Sequence, residues 1–178
     1  MGEGKALCGP VLGAPQAAIA LEYLKAAGVK EVLALGWAGA LEEELLLGSI
    51  FLPEKGLSAE GTSAHYGYYP YPAEKVFAWL CHELALGGFF FETGAVLSTD
   101  ALFRETEELL ARFPEARVID METSALFSVA RALGLSLASL LVISDRLVPR
   151  YERLEIRKIR KSLGAILSPL EAFFRVNF

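Results

Sequence analysis

Two short segments carry carboxylates at places where carboxylates do chemistry. Asp120-Met121-Glu122-Thr123 joins a short apolar run to a helix-period segment. A carboxylate at a helix start is favoured by the helix macrodipole and stays ionised. It offers two acceptor oxygens and no donor, which suits the two hydroxyls of a vicinal diol. Glu122 is the candidate diol acceptor, and Met121 a candidate apolar floor beneath a sugar ring. The plainer alternative is capping, with Asp120 as the N-cap and Glu122 in the first turn. Ser144-Asp145 closes the most apolar run of the chain. Partial desolvation at such a place raises a carboxyl's pKa and lets it donate a proton. The alternatives for Asp145 are an ion pair with Arg146 or Arg150, or the cap of the next segment.

Two further segments are candidates for lining a site. Gly36-Trp37-Ala38-Gly39-Ala40 reads as a small-residue turn after a strand, allowing close backbone approach to a ligand or simply tight packing. Gly61-Thr62-Ser63-Ala64-His65-Tyr66 gathers hydroxyls, an imidazole and a phenol in one loop. Such a loop faces a site or a neighbouring subunit, although a lone histidine among aromatics is more often structural. Other chemistries lack their residues. The Gly2-x-Gly4 pair follows no strand, and there is no phosphate-loop Gly-Lys-Ser/Thr, His-Glu-x-x-His or Cys-x-x-Cys. His65 and His82 are the only histidines, too few for a His-rich catalytic metal site. No serine sits in a Gly-x-Ser-x-Gly elbow.

The elements that must position these residues follow from the hydropathy pattern. Apolar runs at Ala6–Leu12, Val32–Leu35, Ile50–Leu52, Phe89–Ser98, Arg117–Ile119 and Leu137–Ser144 alternate with helix-period stretches. Helices are expected over Gln16–Ala27, Ala73–Leu86, Ala101–Phe113, Met121–Leu133 and much of Tyr151–Phe174. Gly61–Pro72 reads as an irregular loop or edge strand. Strands alternating with helices predict an α/β domain with a largely parallel sheet covered on both faces. In such sheets ligands bind beyond the carboxyl ends of strands. The positions of interest are then Gly36–Gly39, Ser98–Phe103, Asp120–Glu122 and Ser144–Asp145.

Composition narrows the classes. The 178 residues suit one well-buried domain, with 53% hydrophobic and 22% charged residues and a net charge of -5. That charge excludes a nucleic-acid partner held by a basic surface. Mean hydropathy is +0.38, yet the apolar runs are far shorter than the roughly 20 residues of a spanning helix, so no membrane partner is expected. The excess apolar content is assigned to a core or a subunit interface. Residues 1–6 lack the apolar region of a signal peptide. Cys8 and Cys81 form no disulfide framework and are expected to be buried thiols in a reducing cytoplasm.

Six segments occur in a telling order. They are Gly13-x-Pro15-x-Ala17-Ala18 with Glu22 and Leu24, Gly36-x-x-Gly39-Ala40, and Glu60-Gly61-Thr62-Ser63-x-His65-Tyr66. Then follow Thr99-Asp100-Ala101-x-Phe103-Arg104-Glu105-Thr106, Asp120-Met121-Glu122-Thr123-x-Ala125, and Val142-x-Ser144-Asp145. Together they resemble the nucleoside phosphorylase family, which comprises purine nucleoside phosphorylases, uridine phosphorylases and related nucleosidases. The resemblance implies a three-layer α/β/α fold with a mainly parallel or mixed central sheet. It implies cleavage of a nucleoside's N-glycosidic bond, with phosphate as co-substrate and no metal or organic cofactor. Glu122 would hold the ribose 2′- and 3′-hydroxyls and Met121 would pack on the sugar. Asp145 would protonate or hydrogen-bond the departing purine, Ser144 would orient it, and Phe103 or Leu102 would cover the base. The family's habit also implies a homodimer or hexamer, and the cluster Tyr66, Tyr68, Tyr69 and Tyr71 suits an interface.

The chain departs from the family pattern in two places. The family's opening strands, with their Gly-rich, Arg-containing phosphate loop, have no counterpart, so residues 1–178 read as one N-terminally shortened domain. Ala34 and Trp37 stand where phosphorylases carry an Arg and a Ser or Thr. Ala34 cannot bind an anion bidentately, and Trp37 is bulky enough to fill the anion's space. Gly36, Trp37, Gly39, Arg104 and His65 remain as candidate anion-binding or site-lining residues. Two alternatives follow, a phosphate-independent nucleosidase and a non-catalytic nucleoside-binding or structural member. Asp145 argues for purines, whereas the Gly61–Tyr66 segment is similar to uridine-acting members.

Overall fold

The structure, a computed structural model, describes residues 6–171. Helix α1 (Ala14–Ala26) starts on Pro15, whose missing N–H and fixed φ suit a first turn. Strands β1 (Glu31–Ala40) and β2 (Ile50–Ala59) follow. A one-turn 3-10 helix spans Ser63–Tyr66. Then come α2 (Glu74–Leu86), β3 (Phe91–Thr99), a second one-turn 3-10 helix at Leu102–Arg104, and α3 (Glu107–Ala111). The chain continues through β4 (Ala116–Asp120), α4 (Thr123–Leu133), β5 (Ser136–Arg146), β6 (Glu152–Arg153) and α5 (Ile156–Glu171).

The six strands run in the order β1-β4-β3-β2-β5-β6, and β1 also pairs with β5. The sheet therefore closes on itself. Long parallel ladders join β1 to β5, β2 to β3 and β3 to β4. The closures are short and antiparallel, Gly39 and Ala40 against Ile119 and Val118, and Ile50 and Phe51 against Val142 and Leu141. The sheet is mixed, in line with the expected α/β class. Side chains alternate along β5 and divide the core. Ala138, Leu140 and Val142 pack with Val76, Leu80 and Leu84 of α2 and with Ile159 and Ile166 of α5. Leu137 points the other way, to Ala18 and Leu21 of α1 and to Phe127 and Val129 of α4. Leu80, Leu84 and Leu140 are fully buried, each contributing roughly 1.5–3 kcal/mol.

Several boundaries differ from the sequence expectation. Gly36–Ala40 is no turn. It continues β1, because the ladder to β5 carries the backbone through both glycines. The strand expected to end before Pro53 runs through it, since the register shifts between Pro53 and Lys55 and a bulge leaves proline's missing donor unneeded. Ala101–Phe113 is not one helix. Thr106 takes an extended conformation and its hydroxyl caps α3 through the Leu109 N–H, which breaks the run at Glu105. Residues 6–12 form no regular element, and Leu7 and Leu12 are exposed. Cys8 is exposed rather than buried, and Cys81 is half-buried. The apolar closing segment 173–178, expected to dock, lies outside the described residues. Among the described residues no helix is long and apolar enough to cross a membrane.

Candidate functional site

The carboxyl ends of β1, β4 and β5 meet at Gly39, which pairs with Ile119 of β4 on one side and Asp145 of β5 on the other. Space there is tight. A Cβ on Gly39 would sit 2.7 Å from Leu147 Cδ1 and 3.3 Å from both Asp145 Oδ2 and Ile119 Cγ2. Hydrogen at that position lets the three strand ends converge without displacing any of these side chains.

On the β4 side, Asp120 is buried and serves as the acceptor for the start of α4. Its carboxylate takes the Glu122 N–H at 3.3 Å, the Thr123 N–H at 3.1 Å and the Ser98 hydroxyl at 2.5 Å. Burial raises its pKa, and the hydroxyls of Ser98 and Thr123 oppose that rise. The N-cap residue is Glu122 rather than Asp120, and its own side chain makes no capping bond; the Asp120 carboxylate, two positions earlier, accepts the Glu122 and Thr123 N–H groups instead. Glu122 precedes α4, and its Oε1 accepts the Gly13 N–H at 2.5 Å, from the start of α1. Burial pushes the Glu122 carboxyl above its ordinary value. The Gly13 N–H opposes the shift, and the charge of Asp120 adds to it. Met121 is half-buried beside it.

On the β5 side, the Ser144 hydroxyl lies 2.5 Å from Asp145 Oδ1 and 3.3 Å from the Ala38 carbonyl, and donates to the nearer. The alternative of an ion pair with Arg146 or Arg150 is not formed among the described residues. Arg146 instead bonds Glu152 at 2.6 Å and the Glu43 carbonyl at 2.8 Å. Sequence reasoning passed over a second acid here. Glu105, between the 3-10 turn and α3, is half-buried, and no hydrogen-bond partner is found for it among the described residues. Burial, and after it the charge of Asp145, pushes Glu105 up to about 7. Its local neighbours give no sign of this, because the charge of Asp145 reaches it only through the tertiary fold.

The remaining sequence candidates lie around this centre. Leu102 and Phe103 stand on the 3-10 turn after β3, 51% and 94% exposed. Arg104 beside them is exposed too. Gly36 and Trp37 lie within β1, and the Trp37 side chain is 55% exposed. His65 is exposed on the 3-10 turn after β2, and its neighbour Tyr66 bonds Glu22 at 3.0 Å. That turn is organised by Glu60, another residue not singled out from sequence. Its carboxylate accepts from the hydroxyls of Ser58, Ser63 and Ser124 and from the Thr62 N–H. Burial would raise the Glu60 pKa, but the hydroxyls of Ser63, Ser58 and Ser124 and the Ser63 N–H outweigh it and hold it low. Two open grooves lie elsewhere. One, of about 410 Å³, is lined by Gly48, Lys158 and Lys161; the other, of about 300 Å³, by Arg146, Arg150 and Tyr151. Among the described residues, no three His, Cys, Asp or Glu side chains are grouped to hold a metal ion.

Comparisons with known proteins bear on this arrangement. The guanosine phosphorylase of Halorubrum lacusprofundi is 30% identical over 147 residues, covering 80% of this chain and 61% of its own. The uridine phosphorylase of Haemophilus influenzae is 26% identical over 153 residues, covering 75% and 61%. The chain therefore spans about six-tenths of the length of these curated relatives. Among solved structures, AMP nucleosidase from Bacteroides thetaiotaomicron superposes with a TM-score of 0.75 at 26% identity, over 92% of this chain and 69% of that one. Purine nucleoside phosphorylase from Toxoplasma gondii, in complex with immucillin-H, gives a TM-score of 0.80 at 19% identity, over 89% and 68%. This second likeness shows the fold alone. The family model of the Phosphorylase superfamily matches residues 2–168, and the chain belongs to that superfamily, the family of the nucleoside phosphorylases.

Proposed function

We propose that the protein cleaves the N-glycosidic bond of a nucleoside, a purine nucleoside by preference, and passes the sugar to phosphate. The observation that carries this reading is the convergence at Gly39. Glu122 follows the end of β4, Asp145 lies in the last two residues of β5, and both strands pair with β1 at that residue. Glu122 holds the 2′- and 3′-hydroxyls and Met121 lies beneath the ring. As the C1′–N bond breaks, the sugar gains oxocarbenium character and the electron pair moves to the base. Asp145, oriented by Ser144, gives that base a proton or a hydrogen bond. Both contacts strengthen as charge separates, so both lower the barrier. Phe103 and Leu102 cover the base from the exposed turn. Arg104, His65 and the β1 stretch with Gly36, Trp37 and Gly39 line the phosphate side. The protein works in the cytoplasm as a homodimer or hexamer, which light scattering tests through its mass.

A specific observation favours a second reading, with water as acceptor. Ala34 and Trp37 offer no anion ligand on β1. Chromatography of inosine, adenosine, guanosine, uridine and methylthioadenosine after incubation, with and without phosphate, separates the readings. Base release only with phosphate is the expected result. Release regardless of phosphate makes it a nucleosidase. No release from any of the five removes both and leaves a binding or structural member.

A further inference from the structure

Glu122 serves two elements with one carboxylate. Gly13 precedes α1 with φ 85° and ψ 157°, a conformation that favours glycine, and no side chain of its own caps the helix. The cap comes from 109 residues away, as the Gly13 N–H donates to Glu122 Oε1 at 2.5 Å. The first turn of this 13-residue helix carries partial positive charge. Against it stands burial, which disfavours the ionised carboxylate, and the like charge of Asp120 from β4. Gly13 itself is buried and can be approached by no solvent substitute for this bond. One N–H uses one of the carboxylate's roughly four acceptor directions, so enough remain for two hydroxyls, now at a fixed orientation.

We propose that the Gly13 N–H is a positioning group for sugar recognition: the start of α1 holds Glu122 aimed, so that a ribose diol meets a preorganised acceptor. This rests on the reading that Glu122 receives the diol. It adds that α1 sets the affinity for the hydroxyls. A preset acceptor binds more tightly than one that must be ordered on binding.

The test uses a C-nucleoside analogue of inosine, whose C–C bond cannot be cleaved, and its 2′,3′-dideoxy counterpart. Affinities are measured by calorimetry on the full chain. Gly13→Ala is expected to weaken the diol ligand about tenfold and leave the dideoxy ligand unchanged. In a Glu122→Ala background it is expected to cost nothing further. The pH at which diol binding fades on the acid side rises in Gly13→Ala, because the strained backbone draws its N–H away from Glu122 and leaves the effect of burial less opposed. Alanine is strained at that φ, so a second variant replaces the residue 13 amide by an ester through semisynthesis, removing the N–H and keeping the glycine backbone. Equal weakening of both ligands, or a further loss in the Glu122→Ala background, overturns this inference and leaves the proposed function standing. Wild-type protein that binds both ligands equally, or neither, overturns the role of Glu122 and the inference together.

Discussion

The two ends of the candidate site, proposed above as the sugar side and the base side, hold their carboxylates by opposite means. Glu122 is fixed by a backbone N–H at a helix start, and the nearby Asp120 is saturated by hydroxyls and by the start of α4. Asp145 accepts from one hydroxyl, Ser144, and its charge helps to raise the pKa of another acid, Glu105. Backbone donors stabilise a charge that must persist. An acid with a raised pKa makes a proton available near neutral pH. The difference matches what the two ends would be asked to do, one to accept hydrogen bonds from hydroxyls throughout and the other to manage a proton as the base leaves.

The largest effects should separate the two ends by substrate chemistry. Asp145→Asn is expected to slow purine nucleoside cleavage by about 100- to 10,000-fold, the range for losing a general acid. The loss should nearly vanish with a 7-methylated purine nucleoside, whose base departs without a proton. Glu122→Ala should slow both substrates alike, since the diol is common to both. Steady-state rates on the two substrates check this. An Asp145→Asn enzyme equally slow on both would dissolve the division between a proton end and a hydroxyl end.

The acid whose pKa Asp145 helps to raise gives a pH signature. The native protein holds a proton on Glu105 up to about pH 7, whereas the unfolded chain releases it near the ordinary value of 4.5. The native state binds more protons in between, so this group's contribution to stability falls as pH rises from about 4.5 to 7. Glu105 is only half-buried, so solvent screening reduces the change to roughly 1 kcal/mol. Melting curves across that window should show a flatter decline in Glu105→Gln than in the wild type. An identical slope in both would mean that Glu105 is not held protonated beside Asp145.

The meeting point of the two ends should respond next. Gly39→Ala places a methyl 2.7 Å from Leu147 Cδ1 and 3.3 Å from Asp145 Oδ2. Overpacking of this kind costs about 1–3 kcal/mol, read in denaturant titration. It should also disturb the Asp145 side more than the Glu122 side, because the carboxylate oxygen is the polar neighbour. A neutral Gly39→Ala would show that the strand ends have room the convergence does not require.

What could be read in advance follows the same division. The helices α1, α2 and α4 and the strand β5 announce themselves by period and by Pro15, Gly28 and Gly134, because local pattern and packing agree there. Glu122 and Asp145 were legible because they follow apolar runs. The roles of Gly36 and Gly39 were misjudged because glycine reads locally as a turn, while a ladder to β5 keeps both in a strand. Glu105 was illegible because the charge that helps to raise its pKa, Asp145, lies 40 positions away in sequence and acts on it only in the folded chain. The Gly13–Glu122 bond escaped for the same reason, since nothing in either segment names the other.

The smallest expected effect concerns the one hydroxyl on the base side. The Ser144 hydroxyl donates to Asp145 at 2.5 Å, and its other polar neighbour among the described residues is the Ala38 carbonyl at 3.3 Å. Ser144→Ala leaves the carboxylate in place, still close to Gly39, and removes a single bond to a charged acceptor. Such a bond is worth about 1.5–3 kcal/mol in stability terms, but the half-exposed carboxylate regains water in its place, which trims the net loss. Turnover should fall only several-fold, with KM nearly unchanged, because the hydroxyl orients the acid and does not hold the sugar. The falling rate should be shared by ordinary purine nucleosides and absent with the 7-methylated one, as for Asp145→Asn but smaller. A Ser144→Ala enzyme that loses both substrates equally would place Ser144 in the sheet's packing rather than in the orientation of Asp145.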